Sequence, residues 1–133
     1  MPTISTDKVC FIVVKARELE SEDEGMEADA SNATDDNFVS VMTEDAFDSV
    51  RNEIASFIDS MDEDEQAELV ALAWVGRGDF AAADWNEALR QARDRRQGSP
   101  SAYLLGIPLL ASLLEEGLGA FGESCTLYAA DRQ

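Results

Sequence analysis

Side chains able to do chemistry are sparse and uneven along this chain. Histidine is absent, which removes the usual general base at neutral pH, the Ser-His and Cys-His nucleophile pairs, and the commonest zinc ligand. Cys10 and Cys125 are too few for a structural zinc site and do not form the spaced framework of a secreted disulfide scaffold. Cys10 lies in an apolar run and reads as a small core residue. Cys125 lies in the C-terminal stretch and reads as the more exposed thiol, with no neighbouring base to lower its pKa.

Carboxylates remain as candidate acids, bases or metal ligands, chiefly Asp62 to Glu65 and Glu115-Glu116, which adjoin apolar helix faces. The competing reading is stronger: acids at the start of a helix are favoured by its dipole, and a Glu-Glu pair on a surface helix points into water. Asp35-Asp36-Asn37 has calcium-like composition but lacks the glycine and the glutamate that an EF-hand loop requires. Gly76-x-Gly78 beside Arg77 could present backbone N–H groups to an anion. It follows a helix, however, and precedes no phosphate-loop Lys-Ser/Thr, so it reads as a helix-helix turn with glycines at positive φ. No catalytic residue, metal ligand or cofactor is expected, and an enzyme is the less favoured class.

The best candidate site is a concentration of cations and aromatics. Five of the ten basic residues fall between Arg77 and Arg96. Trp74, Arg77, Phe80, Trp85, Arg90, Arg93, Arg96 and Tyr103 form the candidate interaction surface, suited to an acidic peptide, a phosphorylated ligand or another copy's acidic segment. The alternative is structural: Arg93, Arg95 and Arg96 neutralise a helix C-terminus, Arg90 pairs with Asp94, and the aromatics fill the core.

The elements that must position these residues are helical. Val9, Ile12, Val13, Ala16 and Leu19 recur at helical spacing from about Thr6 to Leu19. The run from Val9 to Val14 also suits a strand, but no second β-rich run exists to pair with it. Between Glu20 and Asn37 lie eight acids and no base, so 20–42 reads as an acidic loop. Thr43 reads as the N-cap of an amphipathic helix through Phe47, Val50, Ile54, Phe57, Ile58 and Met61. Asp62 and Glu65 have capping-box spacing for a third helix ending near Gly76, and the short link makes these two helices antiparallel neighbours. Trp85, Ala88, Leu89 and Ala92 mark a fourth helix. Pro100 starts a short fifth, and Leu110, Leu113, Leu114, Leu118 and Phe121 line a last one capped by Gly122, before a tail over 123–133. The fold class is all-α: a single compact domain over 1–133, of five or six helices, bundle-like or orthogonal.

Composition sets the remaining bounds. The chain has 133 residues, enough to bury a core, with 45% hydrophobic and 8% aromatic content. Its 28 acids against 10 bases give a formal charge of −18, which disfavours nucleic acid and anionic membranes as partners. The excess is concentrated in residues 1–64, which hold 18 acids and 4 bases. No signal peptide and no bilayer-length apolar run is visible, so the location reads as cytoplasmic. A protein-interaction module, with an unknown protein or itself as a homodimer partner, is the leading function. A carboxylate-dependent enzyme or metal-binding protein and an acidic mimic of nucleic acid are the alternatives.

Two blocks carry a family resemblance: Asp62-Glu63-Asp64-Glu65-Gln66-Ala67-Glu68-Leu69-Val70-Ala71-Leu72-Ala73-Trp74-Val75-Gly76-Arg77-Gly78-Asp79-Phe80, and Tyr103 to Leu110 with Leu113 to Leu118. They resemble a bacterial family of small proteins known as domain of unknown function 3775. The resemblance implies a small bacterial protein and supplies no catalytic residues. Ala73 to Leu89 also echoes one tetratricopeptide unit, although such folds need about three stacked copies.

Overall fold

A computed structural model describes the backbone of residues 2–29, 36–95 and 98–126, and the side chains of these except 21–47. Six α-helices follow one another: α1 (Thr6–Asp29), α2 (Asp36–Asp59), α3 (Glu63–Arg77), α4 (Trp85–Asp94), α5 (Pro100–Leu105) and α6 (Leu110–Ala120), with a 3-10 turn at Ala82–Asp84 before α4. The described residues contain no strand, and the chain is a compact all-α domain. None of these helices is long and apolar enough to cross a membrane.

Helix α3 lies at the centre, packed on α6 and α4, while α1 joins α2 and α6, and α2 also meets α5. Helices α2 and α3 are therefore not the packed neighbours that their short link suggested. The apolar stripe of α2 faces α1 and α5 instead, with the Phe11 and Phe57 rings 4.4 Å apart. Ile12, Ile54, Ile58, Leu69, Leu72, Leu104 and Leu114 are fully buried. Burying a side chain of this size contributes about 1.5–3 kcal/mol, so this set is the main source of stability.

The helix boundaries follow local chemistry. Asp62 accepts from the Glu65 N–H at 2.8 Å while the Asp62 N–H donates to the Glu65 carboxylate at 3.3 Å, completing the expected capping box. Ser99 accepts from the Ala102 N–H at 3.1 Å with Pro100 in the first turn of α5. Gly78, at φ 94°, and Gly122, at φ 77°, supply left-handed turns after α3 and α6. Leu109 precedes α6 at φ 60° without a side-chain cap, and the Glu20 carboxylate accepts from the Ala111 N–H at 3.2 Å in its place.

Four expectations need correction. The segment 20–42, read as a loop, is helical wherever it is described: α1 continues to Asp29, α2 begins at Asp36, and Thr43 lies inside α2 instead of capping it. Its Glu, Ala and Met residues are strong helix formers, and a nucleated helix satisfies its backbone bonds without burying surface. Gly76 is not a turn residue. It lies within α3, where a Cβ would stand 1.8 Å from the Leu113 carbonyl oxygen, so glycine permits the close crossing of α3 and α6. Cys125 is not an exposed thiol: it is 8% exposed and disulfide-bonded to Cys10, with Cα atoms 5.5 Å apart. The pairing spans 115 positions and arises from packing that residue spacing does not encode. The tail is consequently held over part of its length, since Thr6 Oγ1 also donates to Glu123 at 2.7 Å; residues 127–133 lie outside the described set.

The N-terminal segment is held by a buried carboxylate. Glu68, 4% exposed on α3, accepts from the Thr3 N–H at 2.5 Å, the Thr3 hydroxyl at 2.5 Å and the Ile4 N–H at 3.1 Å. A charged acceptor buried at this depth is tolerated because donors replace the water it gives up.

Candidate arginine-aromatic site

The end of α3 brings Trp74 and Arg77 to the surface one turn apart, and the Gly78 turn folds Phe80 back toward them. Trp74 and Phe80 have ring centroids 5.9 Å apart. From α5, the Tyr103 hydroxyl accepts a hydrogen bond from Trp74 Nε1 at 2.9 Å. Arg95, the residue that ends α4, adopts an extended backbone (φ −68°, ψ 119°) and places its guanidinium carbon 3.7 Å from the centre of the Tyr103 ring. Such a stacked cation is worth about 0.5–1 kcal/mol when exposed and more when desolvated. Trp74, Phe80, Tyr103 and Arg95 are half-buried, so the cluster is supported from below and open above.

Arg77 marks one edge. Its Nε donates to the Asp79 carboxylate at 2.8 Å, and Nη2 lies 2.6 Å from the same oxygen. The bond to Asp79, followed by the smaller influence of the Tyr103 hydroxyl, holds the guanidinium above its ordinary pKa. On the other side, a cleft of about 440 Å³ between α3 and α4 is lined by Arg93 and Arg95 facing Glu63 and Asp64. Arg93 spans part of it, 3.3 Å from Asp64. Arg95 belongs to both the aromatic cluster and the cleft.

Four of the eight expected surface residues therefore meet in one cluster: Trp74, Arg77, Phe80 and Tyr103. Arg93 borders it across the cleft. Trp85 does not belong to the surface. It is 4% exposed and meets the Phe121 ring edge-on at 5.2 Å, because its position on the apolar stripe of α4 turns it into the core. Arg90 sits on the solvent side of α4, paired with Glu87 and lying 3.4 Å from Asp94. Its bond to Glu87 raises its pKa and, with Gln91, lowers that of Glu87. Arg96 lies outside the described residues. In sequence Arg95 is only a charge at a helix end; its one available signal is its place just past the last turn of α4, where an extended backbone redirects the side chain.

Of the carboxylates singled out in the sequence, Asp64 faces Arg93 in the cleft, Glu116 is exposed, and three others are engaged elsewhere. Asp62 and Glu65 form the cap, Glu65 also holds Lys8 at 2.5 Å, and Glu115 pairs with Arg17. Among the described residues, no three Cys, Asp or Glu side chains converge as a metal-binding group. Sequence reasoning passed over Glu68, although it lies four and seven positions from the apolar Leu72 and Val75 and so shares their stripe.

Fold and site together define a small all-α domain with a preassembled arginine-aromatic surface cluster. Residues 51–123 match the model of a family described as a protein of unknown function (DUF3775), and the chain belongs to that family. The matched region contains the whole cluster and helices α3 to α6. No curated protein and no solved structure matches the chain.

Proposed function

We propose that this protein is a non-enzymatic interaction module of the bacterial cytoplasm whose docking face is the Trp74–Arg77–Phe80–Arg95–Tyr103 cluster. One observation carries the reading: Arg95 is stacked on a tyrosine that is itself fixed by a tryptophan N–H, on a half-exposed surface. Trp, Tyr and Arg are the residues that dominate binding energy at protein interfaces, and side chains already held in place lose less freedom on association. The ligand chemistry is an acidic or phosphorylated protein segment, which would meet the Arg95 and Arg77 guanidiniums while an apolar neighbour covers the rings. An acidic segment of a second copy satisfies the same chemistry.

The test is crosslinking with mass spectrometry in native extract, together with sedimentation of the pure protein, comparing wild type with Arg77→Glu plus Arg95→Glu. Loss of crosslinked partners or of self-association, with an unchanged helical spectrum, supports the proposal. The same partners and the same assembly in both proteins would remove it.

A further inference from the structure

We infer that Cys10 and Cys125 form a reversible thiol-disulfide site, opened by small dithiols and closed by small disulfides, that governs attachment of segment 123–126 to α1. These are the only two cysteines in the chain, and the fold brings them together across 115 positions. The inference is independent of the docking face.

Two features make the bond a site as well as a staple. First, the two residues differ in exposure: Cys10 is 0% exposed, whereas Cys125 retains 8% and lies nearer the surface. The order of attack that follows is Cys125 first, with Cys10 acting from inside. Second, the segment beyond the Gly122 turn has two described tethers to α1, the disulfide and the Thr6–Glu123 hydrogen bond. The latter is exposed and contributes little in water. Breaking the covalent tether leaves this exposed hydrogen bond and the packing of Cys125 in the core to hold the segment. In a reducing compartment, disulfides of this kind are transient and redox-sensing.

The chemistry balances with one co-reactant. A dithiol's thiolate attacks Cys125 Sγ, the Cys10–Cys125 bond breaks, and Cys10 Sγ leaves as a thiolate that takes up a proton. The reagent's second thiolate then attacks its own sulfur in the mixed disulfide. This closes a cyclic disulfide and expels the Cys125 thiolate, which is protonated in turn. Two electrons pass from the dithiol to the protein. Closure runs in reverse with a small disulfide as oxidant: Cys125 forms the mixed species, and Cys10 displaces the leaving thiolate without any reagent entering the core.

The experiment uses the full chain, oxidised with glutathione disulfide and then reduced with dithiothreitol. Alkylation is read by mass spectrometry and backbone opening by hydrogen exchange. The oxidised protein should carry no alkylatable thiol, and two should appear on reduction. Amides of 123–126 should then exchange roughly tenfold faster or more, while those of α3, whose protection falls only with overall stability, remain better protected than 123–126. In single variants, Cys10→Ser should trap a glutathione adduct at Cys125, and Cys125→Ser should react roughly tenfold or more slowly at Cys10. Free thiols that persist in glutathione disulfide, unchanged exchange at 123–126 on reduction, or a faster reaction at Cys10 would each overturn the inference. The wild-type exchange measurement stands even where a serine variant fails to fold.

Discussion

Replacing Gly76 by alanine probes the tightest backbone approach among the described glycines. The added Cβ would stand 1.8 Å from the Leu113 carbonyl oxygen, 2.7 Å from the Leu113 carbonyl carbon and 3.0 Å from the Gly117 N, all of them backbone atoms of α6. No side chain can rotate away, so α3 and α6 must part by roughly 1.5 Å, loosening close-packed Leu69, Leu72 and Leu114. Overpacking of this kind costs about 1–3 kcal/mol, and a clash confined to backbone belongs at the upper end. Alanine regains about 1 kcal/mol of helix propensity over glycine. The net expectation is a loss of about 2 kcal/mol, or a fall of about 8 °C in Tm for a domain of this size. Gly119→Ala is the matched control, since a Cβ there meets nothing within 4 Å and should leave Tm unchanged or raise it. Thermal melts followed by far-ultraviolet circular dichroism decide the matter. A Gly76→Ala protein melting at or above wild type would refute the close-crossing argument.

Other expectations follow from the same geometry. Glu68→Ala should cost about 2 kcal/mol by leaving the Thr3 and Ile4 N–H groups unpaired, with faster hydrogen exchange at those amides, and Glu68→Gln should recover part of the loss. Glu87 should titrate below the ordinary glutamate value in NMR, and Arg90→Gln should bring it back up. Because the folded-state pKa is lowered, this contribution to α4 is present above the ordinary carboxylate range and disappears as pH falls through the lowered value. Cys125→Ser, which removes a tether closing a loop of 115 positions, should lower stability by up to about 5 kcal/mol in the chain-entropy account, measured by denaturant unfolding of oxidised wild type and variant.

Features written in short stretches of sequence were legible. The Asp62–Glu65 box, Pro100 in the first turn of α5, Gly78, Gly122 and the stripe from Leu110 to Leu118 each depend on residues within a turn or two, and each does what spacing predicts. Misread features depend on distance or on what apolarity leaves out. The helical character of 20–29 and 36–42 was hidden because low hydrophobicity argues against a core, not against helix. Gly76 looked like a turn because its reason for being glycine, the backbone of Leu113, lies on another helix. Cys10 with Cys125 and Glu68 with Thr3 are likewise joined only by tertiary packing. The candidate site divides the same way: Trp74, Arg77 and Phe80 are close in sequence and lie close in space. Trp85 was drawn into the core by the stripe it shares with Ala88 and Ala92, and Arg95 needed Tyr103 from α5 to acquire a role.

The docking face is tested most directly by a photo-crosslinking residue at Asp79, exposed and bonded to Arg77 at the edge of the cluster, compared with the same residue at Asp48, exposed on α2. In native extract, the account expects a discrete crosslinked protein, or a crosslinked dimer, from position 79 that is absent from position 48 and lost on adding Arg95→Glu. Equal crosslinking from both positions, or none from position 79, would contradict it.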